Sequence, residues 1–99
     1  MKQLEKYFIG KGQVKGFMFA QLKKTKYGYI YRVNDDNRIY YETFEHKENT
    51  RYNCVSLPSN KSFGVWAWTF KTLDGAINKL DEIDIMGEAR EMAKEVFNA

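Results

Sequence analysis

A chain of 99 residues and 11.7 kDa is long enough for one domain with a modest hydrophobic core and too short for a two-domain enzyme. With 43% hydrophobic and 29% charged residues, seven Gly and one Pro, it is excluded from the disordered, collagen-like and membrane-spanning classes. The formal charge of +3 hides an asymmetry: residues 1 to 32 carry eight basic side chains against Glu5, a net of +7, while residues 72 to 99 carry three against seven acidic ones, a net of −4. Such a chain attracts a polyanion on one side and repels it on the other.

In chain order, residues 1–15 form a basic arm broken by Gly10 and Gly12, in which Tyr7-Phe8-Ile9 adds a short strand. Residues 16–23 and 27–34 are rich in aromatic and β-forming residues around Lys24-Thr25-Lys26, the pattern of a hairpin. Asn34-Asp35-Asp36-Asn37 is a turn cluster, because these side chains bond their own main chain and tolerate left-handed backbone. It leads to a third strand over 38–46. A fourth is expected over Arg51–Leu57 and, after Pro58 to Ser62, a fifth over Phe63–Phe70. The sheet region is thus 16–70 and the helical segment 72–98.

After Phe70 the apolar period changes to that of a helix. Thr72 is an N-cap, and Leu73, Ala76, Ile77, Leu80 and Ile83 share one face. Met86, Ala89, Ala93, Val96 and Phe97 form a second set whose phase slips near Gly87. This predicts either two short helices, with Asp84 capping the second, or one bent helix. The fold class is α+β, a single domain in which an antiparallel four- or five-stranded meander has the helical segment on one sheet face.

Alternation divides each strand into two sets. Met18, Ala20 and Leu22, Gly28, Ile30 and Arg32, and Val65 and Ala67 oppose Phe17 and Phe19, Tyr27, Tyr29, Tyr31 and Val33, and Trp66, Trp68 and Phe70. The simplest grouping puts the small and aliphatic sets under the helix and the aromatic sets on the other face. Sixteen aromatic residues are more than a small core absorbs, so that face needs a cover: the second helical piece, a sister subunit, or a single strand of DNA or RNA stacked on the rings.

In element order, from Gly16 to about Asp84, the chain looks like the single-stranded-DNA-binding folds of the Pur-repeat and Whirly type, in which a curved aromatic and basic sheet contacts the strand. The resemblance is topological, and no residue is carried over from it. On the residues themselves, Lys11, Lys15, Lys23, Lys24, Lys26, Arg32 and Arg38 are the expected phosphate contacts, and Tyr29, Tyr31 and Trp68 the expected stacking rings. The alternative is a protein–protein interaction module, of a phage or mobile-element accessory type, whose aromatic face docks on a sister or partner protein. Either way a homo-oligomer is expected.

No catalytic set stands out. His46 and Cys54 lack an orienting partner in sequence, Gly10 to Gly16 lacks the ending of a phosphate-binding loop, and no spacing suggests a metal site. The expectation is a non-enzymatic protein with no cofactor, no metal and no implied small-molecule substrate. The lone Cys54 and the absence of a signal-peptide pattern point to the cytoplasm.

Overall fold

The computed structural model describes residues 3–98, apart from the side chains of Gln13, Phe97 and Asn98. Its strands are β1 (Tyr7–Ile9), β2 (Met18–Lys24), β3 (Gly28–Asn34), β4 (Ile39–Glu45), β5 (Glu48–Asn49), β6 (Cys54–Val55) and β7 (Ala67–Phe70), followed by one helix, α1 (Leu73–Asn98). β1-β2-β3-β4-β7 form one antiparallel sheet, and β5 and β6 form a separate two-residue ribbon.

Local chemistry explains the turns. In the β2–β3 hairpin, Thr25 Oγ1 accepts the amides of Tyr27 and Gly28 at 3.3 and 3.2 Å. Between β3 and β4, Asn34 Oδ1 accepts the Asp36 amide while Asp35 Oδ1 accepts those of Asn37 and Arg38, with Asp36 at φ 77°. Thr72 Oγ1 accepts the Gly75 amide at 3.2 Å and caps α1.

Three expected elements differ. The strand over Phe63–Phe70 keeps only Ala67–Phe70, because the Val65 and Trp66 amides both turn back to donate to the Ser62 carbonyl at 3.0 Å. The strand over Arg51–Leu57 is reduced to Cys54–Val55, because Asn49 Oδ1 accepts the Tyr52 amide and Asn53 is left-handed at φ 51°, so residues 49–53 turn. The helix neither divides nor restarts at Asp84; it runs unbroken for 26 residues. Asp84 instead accepts the Thr25 hydroxyl at 2.6 Å, which ties the hairpin tip to the helix. Gly87 marks a close approach, since a Cβ there would collide with the Tyr27 ring. The side chain of Phe97 lies outside the described residues.

The two sheet faces are filled differently. Beneath α1, Ile30, Ala76 and Leu80 are buried together with Tyr41, Phe70 and Ile77 around them, and Thr43 Oγ1 donates to the Ala76 carbonyl at 3.0 Å. The opposite face carries Phe19, Tyr29, Tyr31, Val33 and Phe44, with Phe8, Phe17, Tyr40, Phe63 and Trp66 packed around them. Tyr31 and Phe44 stack at 5.6 Å, and Phe8 and Phe19 at 4.7 Å.

The grouping of Phe17 and Phe19 with Tyr29, Tyr31 and Val33 is therefore as expected, but Tyr27, expected with them, lies against Gly87 of α1, and the cover of the aromatic face comes from the chain itself and not from a second helix. The N-terminal segment and the 46–66 loop, bringing Leu4, Val14, Val55 and Phe63, fold over it. In β7 the expected assignment is reversed. Ala67 opposite Phe44 belongs to the aromatic face, and Trp68 opposite Thr43 lies on the helix side.

Candidate functional site

The ten residues expected to bind a strand do not form one surface. Tyr29 and Tyr31 are wholly buried, and a ring with no accessible face cannot stack on a base. Burial holds both phenols above their usual titration range. Trp68 is half-buried, and its outer face is taken by Lys79, whose ammonium lies 4.0 Å from the ring centroid.

The basic residues separate to both ends of the sheet. Lys11 and Lys15 flank the short 3-10 turn Gly12–Val14, near the β3–β4 turn that carries Arg38. Lys23, Lys24 and Lys26 stand at the far end of the seven-residue β2 and β3, roughly 20 Å away. Lys26 is paired with Glu91 at 2.9 Å, and Arg38 with Asp35 at 3.2 Å. Among the described residues the other five make no ion pair, and Arg32 projects from β3 on the helix side.

Two surfaces are left with unsatisfied chemistry. The first is the part of the helix-side face that α1 does not reach. Ile9, Met18, Asn34 and Ile39 are register neighbours across β1 to β4, and the next row holds Tyr7, Ala20 and Arg32. Tyr7 is 75% and Ile9 64% exposed, and Met18 and Ile39 are also open to solvent. The helix has a matching excess. Ala76, Leu80, Ile83 and Gly87 are its buried stripe, while Ile85, Ala89, Met92 and Val96 repeat the same spacing on the opposite side and are exposed.

The second surface is a groove of about 830 Å³ on the aromatic side, between the N-terminal segment and the Cys54–Phe63 loop. Phe8, Phe19 and Phe44 floor it, Val55 and Leu57 stand on one wall, and the Glu42 side chain also lines it. Glu42 is 8% exposed and makes no hydrogen bond or ion pair among the described residues. Burial pushes its carboxyl up to about 7. Sequence reading missed this residue, although Tyr40, Glu42 and Phe44 alternate in phase and an acid inside an aromatic set was the available signal.

His46 has both ring nitrogens engaged. Nδ1 lies 2.8 Å from the Tyr29 hydroxyl and Nε2 lies 3.1 Å from a Glu48 carboxylate oxygen. Among the described residues no group of three or more His, Cys, Asp or Glu side chains could hold a metal ion, and no helix is long and apolar enough to cross a membrane. No protein-family model, curated protein or solved structure matches the chain.

Proposed function

We propose that the protein is a non-enzymatic interaction module that assembles with a second copy of itself, the outer stripe of each helix lying on the uncovered sheet strip of the other. The observation that carries this reading is the exposed apolar side chains of Ile9, Met18 and Ile39 in one row that only Asn34 interrupts, bordered by Tyr7, because isolated monomers rarely leave such surface in water. Charge supports the pairing. Arg32 belongs to the row beside the uncovered strip that would receive the helix, and Glu88 and Glu95 flank the stripe that would dock. The contact is reciprocal, as a two-fold interface requires. The setting of His46 supports the non-enzymatic part, since the hydroxyl at its Nδ1 belongs to the wholly buried Tyr29 and is out of reach of a substrate.

Sedimentation at micromolar concentration tests it. The wild-type chain is expected at twice 11.7 kDa, and Ile9→Lys or Met92→Lys at the monomer mass. A wild-type monomer at these concentrations contradicts the reading.

Binding of a single-stranded nucleic acid is the second reading, favoured by Lys11, Lys15, Lys23, Lys24 and Arg32, which make no ion pair among the described residues. Without accessible Tyr29 and Tyr31 it rests on phosphate contacts. Its affinity would then fall steeply with salt, each lysine removed flattening the slope by roughly 0.7. A labelled oligonucleotide that shows no salt-dependent affinity removes it.

A further inference from the structure

We propose that the groove on the aromatic face binds an apolar organic cation, an alkyl- or arylalkyl-ammonium, with the Glu42 carboxylate as its counter-charge and the rings of Phe8, Phe19 and Phe44 beneath its body. This goes beyond the proposed assembly, which uses the other face of the sheet.

Three observations carry it. The volume, about 830 Å³, lies within the range of small-molecule sites, and the lining is the usual one of apolar walls with few polar groups. Glu42 is buried on that wall without a partner among the described residues, whereas Asp84 and Glu91, also turned toward the fold, are both engaged by the β2–β3 hairpin. No buried side-chain oxygen among the described residues lacks a partner, so the unpartnered Glu42 oxygens open onto the groove, where an ammonium N–H meets them against an apolar wall that strengthens a charge-assisted bond. The floor of aromatic rings adds the face that attracts a cation.

The sign of the ligand follows from the same geometry. Glu5 and Lys11, the other charged residues along the groove, are both exposed and of opposite sign, so Glu42 sets the potential at the floor. Because burial raises the Glu42 carboxyl to about 7, an ammonium partner binds with release of a proton below that pH and without release well above it. Affinity therefore rises with pH through this range, while the amine remains charged.

The probe is 4-phenylbutylamine, compared by calorimetry at pH 8 with 4-phenylbutanol and 4-phenylbutyrate. The wild-type protein is expected to prefer the amine over the alcohol by roughly ten- to hundredfold and to bind the carboxylate least. Glu42→Gln, which keeps the shape, should bring the amine down to the level of the alcohol. Leu57→Trp at the exposed wall should weaken amine and alcohol alike. Occupancy should also slow alkylation of Cys54, which lines the same groove. Equal binding of amine and alcohol, no binding at millimolar probe, a preference that survives Glu42→Gln, or unchanged affinity in Leu57→Trp each overturns the assignment. Circular dichroism and melting of both variants show that the fold is intact in these comparisons.

Discussion

The Tyr29 hydroxyl lies 2.8 Å from Nδ1 of His46, and Nε2 of the same ring lies 3.1 Å from Glu48. One tautomer satisfies the chain: Nε2–H donates to the carboxylate, and Nδ1 accepts the phenol proton. This is how a ring 0% exposed in the aromatic core keeps its polar tip satisfied. His46→Ala strands that hydroxyl and is expected to cost roughly 1–3 kcal/mol, whereas Tyr29→Phe removes donor and demand together and costs nearer 1. Urea titration of both variants checks the order, and sedimentation should show the assembly unchanged.

The buried carboxyl of Glu42 makes stability depend on pH in a defined direction. Its folded value of about 7 lies above the ordinary 4.5, so between these values the folded state binds more protons than the unfolded one. Its contribution is therefore most favourable below pH 4.5, declines as pH rises, and is fully lost above pH 7. Glu42→Gln should be close to neutral at pH 4.5 and stabilise the ligand-free protein by at most about 3 kcal/mol at pH 8. Denaturant midpoints for both proteins at the two pH values measure this, and equal differences at both contradict it.

Two glycines set the distance between helix and sheet. A Cβ at Gly28 would stand 2.8 Å from Leu80 Cδ1 and from the Phe44 carbonyl oxygen, and one at Gly87 would strike the Tyr27 ring. An exposed helical Gly→Ala change ordinarily gains about 1 kcal/mol. Here Gly87→Ala and Gly28→Ala are expected to lower stability by roughly 1–3 kcal/mol each through overpacking, read as a fall in melting temperature.

Thr43 fastens the helix start to β4 through its bond to the Ala76 carbonyl, in a site with neither residue exposed. Thr43→Val keeps the shape and removes the donor. The expected cost is roughly 1–3 kcal/mol by chemical denaturation, with the helix content by circular dichroism preserved.

Features that depend on neighbours in sequence were legible, and those that depend on the path of the chain were not. The turn at Asn34 to Asn37, the cap at Thr72 and the alternation in β3 follow from local side-chain chemistry and period. Trp68 was misplaced because its face depends on pairing with Thr43, 25 positions earlier, and on the turn at Phe63 to Trp66 that shortens β7. The surplus of rings signals an aromatic face in need of a cover, yet that cover is an irregular loop whose Val55 and Phe63 reach the sheet only through tertiary folding. The slip near Gly87 suggests a break or a bend; in the fold it is the place where an unbroken helix, lacking a side chain there, passes over Tyr27. The groove was invisible for the same reason, since Glu42 and Val55 meet only once the loop is closed.

The central claim is that helix and sheet strip dock between copies, and a charge swap tests it most directly. One variant carries Arg32→Glu, making its strip acidic, and the other carries Glu88→Lys and Glu95→Lys, making its stripe basic. Each alone places like charges across both contacts and should sediment as a monomer. Mixed in equal amounts they place opposite charges across both contacts, and the account predicts a one-to-one heterodimer that weakens as salt is raised. If each variant alone still assembles like the wild type, or if the mixture stays monomeric while the wild type dimerises, the helix and the sheet strip are not the surfaces that meet.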